Sequence, residues 1–403
     1  MANPPLPVWI PRRYESRYGL LGAMAGELAD ACSRRGLDVR DHAPDGSEAG
    51  IFIFFNMPQA IEAIPAAVRR PGSRIAAVQI LVDHPLALAT NIMDATSRLP
   101  NFRLALPSID GLHLLRLRWP TLVHGHVPHG IPPSALVPNA ELAEHALAAR
   151  EFDVVVAGSI HSREEQAVLR ASVPAQTHAW IDEIVTLMHA EPLMPFEQAI
   201  DLVMGARSVV TGAWPMLAGL WRVAAAELNY LARTTYVESL QGLDVAVFGS
   251  DAWIEHCTGT IRYAGNTSYS DLPAALARGR VCFAWGPTQF EHTFSERLLL
   301  SMAAGCASVA EDRYMIGRHF AFDGNDQALA TFDPRSATAC RETIESLLAD
   351  EAARNAIARR GRRAVQASHL WDHRVESIVS LAAEALVNAA HVPGSQATVR
   401  VSA

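Results

Sequence analysis

The feature that most constrains the fold is the alternation of short apolar runs with helical patterns. GIFIFF (50–55) and RIAAVQILV (74–82) are continuous apolar segments in the first part of the chain. FDVVVAGS (152–159) and LDVAVFGS (243–250) repeat the pattern further on. Strands that are apolar on both faces and alternate with helices are typical of βαβ units in a parallel sheet. The sequence therefore predicts an α/β protein with doubly wound sheets.

The length of the chain predicts more than one domain. Its 403 residues exceed the size at which a single core usually keeps growing. We predict two tandem Rossmann-like domains, the first over 1–135 and the second over 151–375. A proline-bearing linker over 136–150 separates them, a helical block at about 176–240 elaborates the second, and 376–403 forms a terminal helix and tail.

Composition excludes several classes of protein. The formal net charge of -8 argues against a nucleic-acid binder. All 34 basic residues are arginine, which rules out lysine-based chemistry such as Schiff bases. The five cysteines are far apart and form no CxxC pair, so neither a disulfide framework nor a zinc knuckle is indicated. The beginning MANPPLPVWIPRR lacks the apolar core of a signal peptide, and no apolar stretch is long enough to span a bilayer. We expect a cytoplasmic protein without a transmembrane segment.

A phosphate site is indicated where the run VVVAGSIHSREE (154–165) passes from a strand to a helix. Gly158 and Ser159 let a ligand approach the backbone, and a helix N-terminus favours an anion there. His161 and Arg163 add positive charge. The alternative is an ordinary tight turn between a strand and a helix, and the absence of GxGxxG argues against a dinucleotide dehydrogenase.

Acid–base chemistry is indicated at two strand ends in the first domain. Asp83 and His84 end the run ILVDHPLAL, where neighbouring groups can tune a pKa, although an Asp that caps the next segment fits equally well. The run TLVHGHVPHGI places His124, His126 and His129 close in sequence, but no further ligand follows at metal spacing. We therefore predict no metal site and favour His129 as a hydrogen-bond donor.

The run TFSERLLLSMAAGCASVAED (293–312) places its charges at one end of a predicted helix. Ser295 suits the N-cap and Glu296 the first turn, whereas Arg297 does not complement the helix dipole and so points to an anionic partner. The small residues before the next strand, which end at Gly305, allow the helix to pack closely on a sheet. Further upstream, the loop that begins at Gly265 is predicted to contact a base or ribose.

The run FSERLLLSMAAGCASVAED, with HFAFDG and the arginine-rich segment 345–379 behind it, resembles the C-terminal domain of group 1 type glycosyltransferases with the GT-B fold. The resemblance is nearest to the spore-maturation-like and flagellin-glycosylation-associated branch. It covers residues 260–375 in order, and DVVVAGSIHSR fits the strand that opens the same domain. VDHP and VPHGI look like the acceptor-side domain of that branch.

The resemblance implies a glycosyltransferase that moves a sugar from a nucleotide sugar to a hydroxyl acceptor on a bacterial glycan or protein, with a UDP-sugar as the preferred donor. It implies no cofactor and no essential metal. By this analogy Arg297 and the backbone through Leu298 face the phosphates, and Glu296 faces the ribose or sugar. One position departs from the family: many relatives carry a Glu where this chain has Leu300, which leaves the ribose contact to Glu296 or Glu311, or absent.

The catalytic assignments depend on the stereochemistry. Asp83 is the candidate base of an inverting reaction, with His84 or His129 as substitutes, and a retaining reaction needs no such base. Two other functions stay open: a nucleotide-sugar epimerase or hydrolase of the same fold, and a catalytically inactive GT-B subunit that docks on a partner protein or on a second copy of the chain.

Overall fold

The computed structural model describes residues 6–14, 16–56, 61–87, 90–205, 213–286, 290–321 and 324–390. It divides into two compact units. The first consists of residues 1–132 and 370–403, and the second of residues 133–369. Among the described residues, no helix has both the length and the apolar character needed to cross a membrane.

The first unit contains a six-stranded parallel sheet over the described residues. Its strands are β1 (Pro7–Trp9), β2 (Asp38–Arg40), β3 (Gly50–Phe55), β4 (Ile75–Ile80), β5 (Phe102–Leu106) and β6 (His124–His126), in the spatial order β2-β1-β3-β4-β5-β6. The helices between them are α1 (Leu20–Arg34), α2 (Ala66–Arg69), α3 (Thr90–Thr96) and α4 (Leu112–Arg118). Every residue of β3 and β4 is buried, as continuous apolar runs predict for strands covered on both faces.

The second unit contains another six-stranded parallel sheet among the described residues. Its strands are β7 (Phe152–Ala157), β8 (Val245–Phe248), β9 (Ile261–Gly265), β10 (Gly279–Phe283), β11 (Ala307–Glu311) and β12 (Ala330–Phe332), in the order β12-β11-β10-β7-β8-β9. From β7 the chain adds β8 and β9 on one side and then β10, β11 and β12 on the other, so the strand order reverses between β7 and β10. In open α/β sheets this switch point, beyond the carboxyl ends of the strands, is where ligands bind.

Ten helices of the second unit lie within the described residues. They are α5 (Glu144–Ala148), α6 (Arg163–Ala171), α7 (His178–Ala190), α8 (Phe196–Met204), α9 (Trp214–Ser239), α10 (Leu272–Leu276), α11 (Glu296–Ala303), α12 (Tyr314–His319), α13 (Ala337–Ala349) and α14 (Glu351–Ser368). Helices α7 to α9 form the predicted helical block. Helix α9 has 26 residues and ends beside the sheet, where Tyr236 and Val237 enter the core.

The end of helix α11 gives Gly305 a different role from the predicted one. Gly305 has a φ of +68°, a left-handed conformation that glycine adopts easily. The Cys306 N–H donates to the Ser301 carbonyl at 3.1 Å and so closes the last turn. Gly305 therefore ends the helix, and a Cβ there would lie 2.4 Å from Leu142. Ala303 and Ala304 are fully buried, as the predicted close packing requires.

The last described helix, α15 (Asp372–Ala390), belongs to the first unit, whereas the sequence analysis placed residues up to 375 in the second domain. Trp371 is fully buried, lies edge-on to Phe55 at 5.9 Å and donates from Nε1 to Glu27 at 3.0 Å. Arg34 makes a double hydrogen bond to Asp372. These contacts hold the helix on the first sheet. The predicted tail, 391–403, lies outside the described residues.

Candidate functional site at the carboxyl ends of the second sheet

Gly158 follows β7 at the switch point and has no room for a side chain. Its N–H donates to Phe248 at 2.8 Å and its carbonyl accepts from Trp253 Nε1 at 2.7 Å, so the turn is fixed on both sides. Its φ is +150°, and a Cβ would lie 2.8 Å from the Trp285 ring and 3.0 Å from Arg297 Nη1. An indole and a guanidinium thus lie beside the glycine, and the approach of a ligand to its backbone stays a prediction.

Arg297 lies in the first turn of α11, and its guanidinium reaches Gly158. Ser295 occupies the predicted N-cap position, but its side chain makes no capping hydrogen bond. It accepts instead from Arg297 Nε at 3.4 Å. The nearest carboxylate oxygen of Glu296 is 3.9 Å from Arg297 Nε, beyond hydrogen-bonding distance. The start of this helix thus combines backbone N–H groups with a cation that has no tight carboxylate partner among the described residues.

Arg233 and Trp285 also lie beside the turn at Gly158 and Ser159, and the sequence analysis did not select either residue. Arg233, from α9, is 4% exposed and lies over the Trp285 ring at 4.8 Å. Its Nη1 donates to the Ser159 carbonyl at 2.5 Å. Burial lowers the pKa of Arg233, and the nearby charge of Arg297 lowers it further. The positions of Ala226, Arg233 and Val237 on one helical stripe were the signal that Arg233 points inward.

Glu311 and Arg313 form a buried ion pair beside this place. Arg313 Nη2 is 2.5 Å from Glu311 Oε2, and both side chains are 6% exposed. Glu311 also accepts from the Gly286 N–H at 3.0 Å. Arg313 donates further to the carbonyl of Phe290. Because its charge is already paired inside the protein, Glu311 is less suited than Glu296 to the ribose contact.

His161 and Arg163 lie on the far side of the turn after β7. His161 Nδ1 is 3.7 Å from Glu165, which forms a capping box with Ser162 at the start of α6. Arg163 donates to the Tyr230 hydroxyl at 3.3 Å and lies over its ring at 5.9 Å. These contacts are with α6 and α9, and the role of both residues in donor binding stays a prediction.

Three other residues named in the sequence analysis lie in β9 and α11 of the second unit. Gly265 ends β9 with a φ of +95°, and its carbonyl accepts from the Gly249 N–H at 3.1 Å. The Leu298 side chain is 1% exposed, and its N–H donates to Ser295, so only its backbone is near the helix start. Leu300, where the resemblance led us to expect a Glu, is 1% exposed, and an apolar side chain is the stable choice there.

The first unit brings the other selected residues to the carboxyl ends of its own strands. Asp83 follows β4 and accepts from Asn56 Nδ2 at 2.7 Å, while Asn56 Oδ1 accepts from the Val82 N–H at 2.8 Å. Asn56 has a left-handed φ of +47°. Asp83 is therefore held at the strand end and half-buried. It keeps its candidacy as a base.

The two histidines are enclosed more fully than the sequence suggested. His84 is fully buried, and burial lowers its pKa to about 4, with the Asp110 charge acting in the opposite direction. Its Nδ1 accepts from the Leu86 N–H at 3.2 Å. His129 is 7% exposed, with Nε2 3.4 Å from the Leu81 carbonyl. A neutral, buried His84 is better suited to holding the turn than to exchanging protons with solvent.

The edge strand β6 carries His124 and His126. Burial lowers the pKa of both side chains. Within the described part of the first unit, no three metal-ligating atoms gather around them. The residues present thus offer no ready metal site on this strand.

Comparisons with known proteins agree with this architecture. Residues 232–380 match the family model described as glycosyl transferase-like. Among solved structures, the chain is similar to the sucrose-phosphate synthase of Thermosynechococcus elongatus. That match has a TM-score of 0.52 and 11% identity, and covers 95% of this chain and 99% of the other. None of the curated protein sequences matches the chain.

Two further solved structures are glycosyltransferases. The one from Rickettsia africae ESF-5 has a TM-score of 0.49, with 10% identity and coverage of 96% and 99% of the two chains. AviGT4, involved in avilamycin A biosynthesis, has a TM-score of 0.48, with 12% identity and coverage of 95% and 98%. The spore-maturation-like branch stays a prediction. Residues 232–380 thus match a glycosyl transferase-like family model, and the chain has the two-domain GT-B fold.

Proposed function

We propose that this chain transfers a sugar from a UDP-sugar to a hydroxyl acceptor on a bacterial glycan or protein. The observation that carries the proposal is Arg297, which stands in the first turn of α11 with its Nη1 beside Gly158. A guanidinium beside the start of a helix at a switch point suits a diphosphate leaving group.

The chemistry asked of the second unit is stabilisation of the leaving group. As the bond between sugar and phosphate breaks, negative charge grows on the departing diphosphate, and pre-positioned donors stabilise that charge most when water is excluded. Arg297 and the start of α11 provide such donors. Because arginine supplies this charge, we expect transfer to proceed without a divalent metal, so chelation with EDTA should leave the rate unchanged.

In an inverting reaction, the acceptor hydroxyl must lose its proton as it attacks. Asp83 is the proposed base because Asn56 fixes its carboxylate at the end of β4. General-base catalysis contributes about 10²- to 10⁴-fold to a rate. We expect Asp83→Asn to lower turnover by that factor while UDP binds as before. Unchanged turnover would exclude the role and favour a retaining reaction.

The test of the donor site is binding of a nucleotide panel to the purified protein. UDP, GDP, CMP and dTDP, each alone and as sugar conjugates, are compared by thermal shift. A ligand at a hundredfold excess over its Kd adds about 2.7 kcal/mol to the free energy of unfolding. We expect a selective shift with UDP and its sugars. If the folded protein responds to no nucleotide, the donor proposal is wrong.

A matched pair of variants localises the site. Arg297→Gln removes the guanidinium that faces Gly158, whereas Arg363→Gln makes the same change at an exposed position on α14. Loss of one charge-assisted hydrogen bond costs about 1.5–3 kcal/mol, or about 10- to 150-fold in Kd for UDP. We expect this loss with Arg297→Gln alone. Equal binding by both variants would move the diphosphate elsewhere.

A further inference from the structure

Arg233 is a buried cation without a matching anion among the described residues. Its side chain is 4% exposed, and no described carboxylate lies within 4 Å of its guanidinium. The closest acidic groups have other neighbours: Glu311 pairs with Arg313, and Glu296 lies beside Arg297. Taking an ion out of water is unfavourable unless a counter-charge compensates it. The buried charge of Arg233 therefore lacks a paired carboxylate among the described residues.

The guanidinium is nevertheless held in a fixed position. Nη1 donates to Ser159, and the Trp285 ring lies 4.8 Å below the guanidinium carbon. The Asn229 amide, in the orientation that satisfies its neighbours, donates to Ser159 at 3.2 Å and accepts from both terminal nitrogens of Arg233. A network that fixes a buried charge without neutralising it is expected where a ligand supplies the opposite charge.

The indole of Trp285 supplies a second, independent sign of a ligand. Trp285 is 2% exposed, and its Nε1 has no hydrogen-bond partner among the described residues. That nitrogen points at Gly158, where a Cβ would lie 2.8 Å from it. Buried donors without a partner are rare in folded proteins. An acceptor oxygen beside Gly158 would satisfy it.

The space beside these two residues is large enough for such a group. Arg233 and Trp285 line a cavity of about 150 Å³ that Leu228, Phe290 and Arg313 also line. Arg297 lies beside Gly158, and its charge acts on Arg233 and lowers its pKa. Two cations thus lie close to Gly158 and Ser159, and the cavity lies beside Arg233.

We propose that Arg233 and Trp285 Nε1 bind the terminal phosphate of a nucleoside diphosphate, while Arg297 and the start of α11 bind the phosphate attached to the nucleoside. This inference rests on the proposed donor site and deepens it. It assigns to Arg233 the selection of diphosphates over monophosphates. The terminal phosphate also carries the sugar in the intact donor, so Arg233 would stabilise the oxygen at which the bond breaks.

The experiment compares Kd values for UDP and UMP by titration calorimetry in wild type and in Arg233→Met. The control is Arg222→Met, the same change at an exposed position of the same helix. We expect wild type to prefer UDP by about 10- to 100-fold, the size of a charge-assisted hydrogen bond. In Arg233→Met the preference should collapse towards one, because UDP affinity falls while UMP affinity holds. Arg222→Met should behave as wild type.

Stability separates a binding role from a structural one. Without ligand, Arg233→Met should melt no earlier than wild type, because an uncompensated buried charge has been replaced by an apolar side chain. Trp285→Phe, which keeps the ring and removes the N–H, should lower UDP affinity several-fold in the same direction. An equal loss of UDP and UMP affinity, or a lower melting temperature of ligand-free Arg233→Met, would overturn the proposal.

Inorganic pyrophosphate and orthophosphate separate this inference from the donor proposal. If pyrophosphate binds through Arg233 but no nucleotide does, the anion site stands and the nucleotide-sugar donor falls. If nucleotides bind but UDP and UMP bind alike, the donor proposal stands and the role of Arg233 falls. If neither nucleotides nor pyrophosphate bind to the folded protein, both are wrong.

Discussion

The buried imidazole of His84 makes the stability of this protein depend on pH in a definite direction. Its pKa is about 4 in the folded protein against 6.5 for the free side chain, because burial disfavours the charged form. Between these values the unfolded chain binds a proton that the folded chain does not. The free energy of unfolding is therefore complete above pH 6.5 and is lost as pH falls towards 4.

The magnitude follows from the shift. A difference of about 2.5 pKa units corresponds to about 3 kcal/mol at pH 4, and to about 1–2 kcal/mol at pH 5.5. The protein should thus lose about 1–2 kcal/mol from this one group between pH 7.5 and 5.5. That is a sizeable share of the stability of an ordinary domain.

The assay is urea unfolding at half-unit steps from pH 7.5 to 5, in wild type and in His84→Asn. Asparagine keeps an acceptor for the Leu86 N–H but does not titrate. We expect the variant to be less stable at pH 7.5 and to show a flatter dependence on pH. Parallel curves for the two proteins would mean that His84 titrates as in water, and the reasoning from its burial would fail.

Three further predictions concern the second unit and the helices. Gly158→Ala should lower the free energy of unfolding by about 1–3 kcal/mol and weaken UDP binding, because its φ of +150° and the contact with Trp285 oppose a side chain; unchanged melting and binding would contradict this. Gly26→Ala, in α1 with no atom within 4 Å of the new Cβ, should instead stabilise by about 0.5–1 kcal/mol in the same measurement. Glu311→Ala should cost about 3–5 kcal/mol in chemical unfolding because it removes the buried carboxylate that pairs with Arg313, and the double change of both residues to apolar ones should recover part of the loss.

The strands were predictable because a strand that is buried on both faces has a continuous run of apolar residues. GIFIFF and FDVVVA appear in the structure as β3 and β7. The helix that follows Ser295 was also recognisable from its start and end signals. The sequence analysis assigned the terminal helix to neither domain, because periodicity shows which face of a helix is apolar but not which sheet covers it. Trp371, which settles the matter, has the same appearance in sequence whichever sheet it enters.

Single motifs predicted Gly158 and Arg297 as members of the candidate site. Arg233 and Trp285 were missed because their positions depend on tertiary structure. Gly158 and Arg297 carry local signals, a strand-end glycine and a cation at a helix start. Arg233 is 74 residues from the carbonyl to which it donates, and nothing near it in sequence indicates a turn or a cap. Long-range pairs of this kind follow from the packing of α9 on the sheet, which the sequence alone does not fix.

The return of α15 to the first sheet has a consequence for how the chain is made. The amino-terminal unit lacks Trp371 and the helix behind it until the last part of the chain has been synthesised. The second unit, by contrast, is continuous from 133 to 369 and can complete its core earlier. During synthesis on the ribosome, the second unit should therefore finish folding before the first unit. A stop codon near residue 370 would leave the second unit complete and the first unit without its last helix.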